Sequence, residues 1–326
     1  MPVLLSEQDI RIVLSMRDLI GAMEDALIRF SRGEVAQPLR SVVDVGLQKA
    51  FFGVMPAFIP DPPALGAKMV TVFGSNSTAG LPTHLATIVL LDSMTGELLS
   101  IVDGRYITEA RTAAVSALSV RQLARPAAAT LAIIGSGVQA RSHLEAIALV
   151  RPLTAVRVWS PTAAHREAFA REMQPRIAAP IAVAESARDA ADGADIIVLV
   201  TAAREPVIER AWVRAGAHVC AVGACRPTER EMDSALVADA RLFVDSRAGA
   251  LAEAGDILMP MRDGTFDASH IAGELGEVGL GTVTGRTSDA EITIFKSLGM
   301  AVEDIAAAHL AYRKAAERGL GRGFVL

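Results

Sequence analysis

Between positions 135 and 140 the chain reads Gly135-Ser136-Gly137-Val138-Gln139-Ala140, a G-x-G-x-x-A pattern. Glycines are common, so the setting decides what the pattern means. It closes an apolar run, TLAIIG, and opens a stretch of helical periodicity, VQARSHLEAIALV. A second short strand, AVRVWS, ends about 25 residues further on, as a dinucleotide-binding unit requires. Gly135 permits the tight turn, Gly137 lets the backbone approach a pyrophosphate, and Ala140 lets the helix sit close to the sheet. All six residues are expected at the cofactor. Where an acid would take a ribose 2′-hydroxyl, the chain has Trp159-Ser160-Pro161-Thr162, then His165 and Arg166. The hydroxyls of Ser160 and Thr162 and the Arg166 cation suit a 2′-phosphate, so NADPH is favoured over NADH. Thr201 ends the apolar run ADIIVLVT, at the sheet edge where such folds bind ligands.

The cations are the second chemical signal. Of 32 basic residues only Lys49, Lys68, Lys296 and Lys314 are lysines, so a lysine in an apolar stretch draws notice. Lys68 lies in AKMVTVF. It either points to solvent or is buried with a partner. Arg40, after Gln37-Pro38-Leu39, reads equally as a loop arginine. Arg111 is expected to open a helix over 112–124, where the macrodipole disfavours a cation, so an anionic partner is expected. Cys220 sits in an apolar strand and reads as core. Cys225 has no His–acid pair beside it to make it a nucleophile. The C-x4-C spacing with scattered histidines gives no metal site.

These residues need elements to hold them. A chain of 326 residues corresponds to about two domains. Hydrophobic residues at 51% and charged residues at 21% exclude disorder and collagen-like repetition. Net charge is −5 without a basic block, which argues against nucleic acid and anionic membrane partners. The opening MPVLLSEQDIR lacks a basic segment ahead of an apolar one, and no apolar run approaches the roughly 20 residues of a bilayer span. A soluble cytoplasmic protein is the expectation.

Residues 6–32 carry helical periodicity. VVDVGL, FFGVMPAFI, ALGAKMVTVF and HLATIVLLD follow as short strands, and DSMTGELLSIV is a hairpin with Thr95-Gly96 at the turn. This block reads as α+β with a mainly antiparallel sheet. From 130 onward strands and helices alternate, and several strands are apolar throughout, which predicts a doubly wound parallel sheet of the Rossmann type. A last helix at 298–317 is expected to pack on the first domain. The expected organisation is 1–118 together with 298–326 for substrate and dimerisation, and 119–297 for NAD(P).

LGAKMVTVF, GLPTHLATIVLLD and GRYITEARTAAVSAL ahead of the nucleotide loop, and AVGACRPTEREMD and EITIFKSLGMAVED after it, resemble the ornithine cyclodeaminase/mu-crystallin family over essentially the whole chain. The resemblance implies a homodimer with a substrate carboxylate on Arg40, Lys68 and Arg111. Thr83, His84, Arg111 and Thr112 match positions near the nicotinamide or phosphates, and Val222 and Gly223 lie in the matching AVGA segment. In cyclodeaminases an aspartate follows that segment and moves protons; here Cys225 stands there and would border the substrate. A thiol does not replace a carboxylate base. The resemblance therefore implies an NAD(P)H-dependent reductase of cyclic ketimines, Δ1-pyrroline-2-carboxylate and Δ1-piperideine-2-carboxylate, with Lys68 and Arg111 as catalytic residues. Ornithine cyclodeaminase, alanine dehydrogenase and a non-catalytic NADPH- and ligand-binding protein are the alternatives within it.

Overall fold

The computed structural model describes residues 1–46 and 50–325, so Lys49 lies outside the described residues. The chain opens β1 (Val3–Leu5), α1 (Glu7–Val13), α2 (Met16–Ser31), β2 (Ser41–Val45), β3 (Ala50–Pro60), β4 (Pro63–Val72), β5 (His84–Leu91), β6 (Leu98–Asp103) and α3 (Gly104–Leu123). It continues β7 (Thr130–Ile134), α4 (Val138–Val150), β8 (Ala155–Trp159), α5 (Ala163–Met173), β9 (Ile181–Val183), α6 (Ala187–Ala191), β10 (Ile196–Leu199), β11 (His218–Ala221) and α7 (Ser234–Asp239). Last come β12 (Arg241–Val244), α8 (Arg247–Glu253), α9 (Gly255–Arg262), β13 (Ile271–Glu274), α10 (Leu275–Leu280), β14 (Thr293–Lys296), α11 (Ala301–Glu317) and β15 (Arg322–Gly323). Two compact units result: Met1–Arg111 with Gly299–Leu326, and Thr112–Leu298. No helix among the described residues is long and apolar enough to cross a membrane.

The first unit is built on a sheet in the order β15-β1-β6-β5-β4-β3-β2. Its pairs are antiparallel except β1 with β6. Alternation along β4 sends Ala64, Gly66, Lys68 and Val70 to the covered face. Helix α11 covers that face, as expected for the last helix. A Cβ on Gly66 would come within 2.3 Å of Val89 O on the neighbouring strand and 3.0 Å of Ile305 Cδ1 on the helix, so glycine keeps the strand and helix from clashing here. The hairpin expected at Thr95-Gly96 joins β5 to β6, with Gly96 at φ 76°.

One expectation needs correction here. The helix placed at 112–124 begins eight residues earlier, at Gly104. Strand β6 runs straight into it, because Asp103 accepts the Arg105 N–H and starts the helix without a loop. Arg111 therefore lies two turns inside α3, and the macrodipole argument for its anionic partner does not apply. The partner exists for another reason, given below.

The second unit holds a wholly parallel sheet in the order β13-β12-β14-β11-β10-β7-β8-β9. Every residue of β10 and β11 is buried, as strands covered on both faces must be. Chain order reverses between β7 and β10, which makes their carboxyl ends the crevice of a doubly wound fold.

Candidate active site

Lys68, in the first unit, faces the core, and its Nζ lies 2.6 Å from Asp304 Oδ2. Arg111 donates from Nε to Asp304 Oδ1 at 2.9 Å and from Nη1 to Glu303 Oε2 at 2.7 Å. All four side chains are buried. Buried charges survive only in such pairs, and the two cations are matched by two carboxylates. Gly299 makes room for the arrangement: a Cβ there would fall 2.4 Å from Arg111 Nη1, and its φ of 79° suits glycine.

The electrostatics follow from this packing. Burial pulls the Lys68 ammonium down to about 8; Asp304 resists, while Arg111 and Arg40 pull it further. Lys68 thus remains mostly protonated at neutral pH yet gives up its proton far more readily than an exposed lysine. His84, at the start of β5, is lowered to about 4 by burial and by the positive fields of Lys68 and Arg111, so it is a neutral imidazole. Asp304 is held below the ordinary carboxylate range: burial opposes its charge, but Arg111 and Lys68 outweigh that. Arg40 lies just before β2, half-buried, with its field reaching Lys68. Of the residues expected at the substrate or the cofactor in this unit, Arg40, Arg111 and His84 are therefore electrostatically coupled to Lys68. Thr83 is exposed, its carbonyl accepting the Phe73 N–H.

In the second unit the nucleotide motif lies at the β7–α4 junction. Gly135 has φ 122°, and a Cβ there would meet Val200 O at 2.5 Å. At Gly137, the N-cap of α4, a Cβ would meet nothing within 4 Å. The α4 N-terminus has no side-chain cap, and Ala140 is fully buried against the sheet. An uncapped helix start behind an open glycine fits a pyrophosphate. Val138 is exposed at this start. The Ser136 hydroxyl donates to Ser160 Oγ at 2.9 Å, tying the loop to the end of β8. Arg166 donates to Ser160 O at 3.0 Å and to Glu185 at 3.2 Å, so the expected 2′-phosphate cation already shares its charge with an acid beyond β9. Thr162 caps α5 without a side-chain bond, and Thr112 is buried in α3.

Thr201, Val222 and Gly223 follow β10 and β11 at the same sheet edge. Glu231 accepts from the Thr201 N–H and hydroxyl and from the Gly223 N–H, each at 2.7 Å. Val222 N–H bonds Leu199 O at 3.0 Å. Cys225 is exposed, with Sγ 3.5 Å from Val222 O.

Residues 1–319 match the ornithine cyclodeaminase/mu-crystallin family. This chain belongs to that family. It is 42% identical to the ketimine reductase mu-crystallin of Mus musculus over 95% of its own length and 96% of the relative. The solved Δ1-pyrroline-2-carboxylate reductase of Thermococcus litoralis, in complex with NADH and L-proline, superposes with a TM-score of 0.97. The two are 39% identical over 99% of this chain and 100% of the other. An archaeal alanine dehydrogenase dimer with bound NAD gives a TM-score of 0.94 at 29% identity, covering 99% of each chain.

Sequence reasoning missed Glu303 and Asp304, which lie in the quoted EITIFKSLGMAVED. Their signal was present: two adjacent acids on the apolar helix start of α11 must be buried with cations. It also missed Glu231, Asp256 and Arg141. Arg141 donates to Ser136 O at 2.7 Å and Gly137 O at 3.0 Å and buttresses the nucleotide loop.

Proposed function

We propose that the protein reduces cyclic ketimines with NADPH or NADH, turning Δ1-pyrroline-2-carboxylate into L-proline and Δ1-piperideine-2-carboxylate into L-pipecolate. The observation that carries this reading is the whole-length match to a Δ1-pyrroline-2-carboxylate reductase that binds NADH and L-proline. The buried cation set of the first unit supports it, since a substrate carboxylate needs such a set.

Arg40, Lys68 and Arg111 bind the substrate carboxylate. Glu303 and Asp304 fix the Arg111 guanidinium, so little side-chain entropy is lost when an anion arrives. Lys68 supplies a point charge and, with its pKa near 8, delivers a proton to the imine nitrogen directly or through water. His84, as a neutral imidazole, and Thr83 serve as the first unit's cofactor-binding residues without adding charge. The Gly135–Ala140 loop and the α4 N-terminus hold the pyrophosphate, and Ser160, Thr162 and Arg166 favour a 2′-phosphate. Thr112, Thr201, Val222 and Gly223 complete the cofactor contacts. The reduced nicotinamide supplies the hydride that the C=N carbon accepts. Cys225 borders the substrate; with a thiol where cyclodeaminases carry a carboxylate, the base for amine elimination is missing at this position, so the ketimine is taken up ready-formed and only reduced.

A cytoplasmic homodimer in proline metabolism completes the proposal. The sheet face of the first unit opposite α11 is apolar and partly open. Val54 pairs with Met69, Met69 with Thr87, and Thr71 with Leu85, with Met69 36% and Leu85 44% exposed. A face of that kind suits a second copy, and the archaeal alanine dehydrogenase is a dimer.

The test is cofactor oxidation with Δ1-pyrroline-2-carboxylate, run beside an ammonia assay with L-ornithine and NAD. Rapid oxidation without ammonia supports the reductase. Ammonia from ornithine without ketimine reduction overturns it in favour of the cyclodeaminase.

A further inference from the structure

Lys296 ends β14 with no exposed surface, in a chain that uses lysine four times. Its Nζ donates to Ala224 O at 2.6 Å and lies 3.0 Å from Asp256 Oδ2. Asp256, equally buried in the first turn of α9, accepts the N–H groups of Glu231 and Met232 at 2.8 and 3.0 Å. Glu231, also buried, holds the Thr201 and Gly223 backbones. Three charges thus form one chain that ends on the two turns beyond β10 and β11. Apolar residues of similar size would stabilise the interior better than ions that must leave water. The turns themselves leave no slack: a Cβ on Gly223 would meet Thr201 O at 2.2 Å and Glu231 Oε1 at 2.5 Å.

We infer that Lys296 is a positioning residue: through Ala224, Asp256 and Glu231 it fixes the turns at Thr201 and 222–225, and so sets how the nicotinamide half of the cofactor is held. The inference rests on the cofactor reading above. It assigns the adenosine half to the β7–β8 side of the crevice and the nicotinamide half to the β10–β11 side, across the reversal of order between β7 and β10. The Lys296 ammonium stays charged because Asp256, Cys225 and Glu231 outweigh the burial that opposes it. Its field therefore also reaches the Cys225 thiol.

The test uses the double variant Lys296→Met with Asp256→Asn, which removes both charges and leaves an acceptor oxygen for the Glu231 and Met232 N–H groups. Three readouts are taken: affinity for NADPH, affinity for ADP as an adenosine-half probe, and the rate at which a disulfide reagent consumes the thiol. Cys220 is buried and pushed up to about 12, so the reagent reports Cys225 alone. The expected result is ADP affinity within about twofold of wild type and NADPH affinity weakened about tenfold or more. Thiol reaction slows about threefold as the nearby positive charge is lost. Glu231→Gln, which keeps the shape but offers an amide N–H where one carboxylate oxygen stood, gives the same split and carries the test should the double variant not fold. Equal weakening of ADP and NADPH, or no weakening of either, overturns the inference. Wild-type protein that binds ADP but not NADPH overturns the cofactor reading instead.

Discussion

Asp304→Asn isolates the charge that tunes Lys68. The asparagine keeps the shape of the side chain and an acceptor for Arg111 Nε, and loses the negative charge 2.6 Å from Lys68. Lys68 titrates near 8 because burial lowers its pKa while Asp304 raises it. An opposite charge at this range shifts a pKa by roughly 1–3 pH units, which puts the variant's lysine at roughly 5–7. In the proposed mechanism the protonated lysine is the form that attracts the carboxylate and supplies the proton. Activity is therefore present below the lysine's pKa and lost as pH rises through it. The alkaline limb of kcat/KM moves toward acid, and a shift of about 2 pH units lowers the rate at pH 7 by roughly tenfold. The assay follows loss of reduced-cofactor absorbance at saturating cofactor across the neutral and alkaline range. Titration of the free ketimine is common to both proteins and cancels in the comparison. Breaking a buried pair also costs about 3–5 kcal/mol of stability, so a melting curve first establishes the folded fraction. A variant that is folded and slower but keeps its alkaline limb where wild type has it would refute the reasoning, because Asp304 would then act on geometry alone.

Lys68→Ala is expected to lower kcat/KM by about a hundredfold or more, through lost charge and lost proton transfer; a near-normal value removes Lys68 from the site. Gly137→Ala is expected to melt like wild type, since its Cβ meets nothing within 4 Å, yet to weaken NADPH binding about tenfold, read by fluorescence titration. Gly135→Ala fails in the opposite sense: with φ at 122° and Val200 O at 2.5 Å, it is expected to lower the melting temperature before any effect on affinity is measurable. Met69→Glu places a charge on the open sheet face and, if the proposed homodimer forms there, is expected to shift it to monomer in sedimentation, whereas an unchanged sedimentation profile speaks against an interface on this face.

The strand–helix alternation after residue 130 was legible because buried parallel strands and their covering helices differ so sharply in texture; α4 and α5 lie where the pattern puts them. Strand β13 and the short helices α6 to α10 were not, since four to eight residues carry no full period. The start of α3 was hidden because Tyr106, Ile107 and Thr108 are residue types that favour strands, and nothing in the sequence marks Asp103 as the residue that starts the helix. At the site, Lys68 was visible as an oddity of composition. Its counter-ions were not, because Asp304 lies 236 positions away along the chain and meets Lys68 only when α11 returns to β4. The same holds for Lys296, whose partners come from separate segments near 225, 231 and 256.

The two acids also explain how the first unit can carry a cationic site without substrate. Lys68 and Arg111 side by side would repel each other in a poorly screened interior. Glu303 and Asp304 neutralise them within the fold, so the unit does not depend on a ligand for stability. Arg40 then adds a third positive charge whose field reaches Lys68, and in the proposed mechanism a substrate carboxylate adds a third negative one. Among these named groups, binding restores the charge balance. An amino-acid product keeps the carboxylate but brings an ammonium, which the same cations repel. On the proposed reading the charge set therefore favours the imino acid over the amino acid.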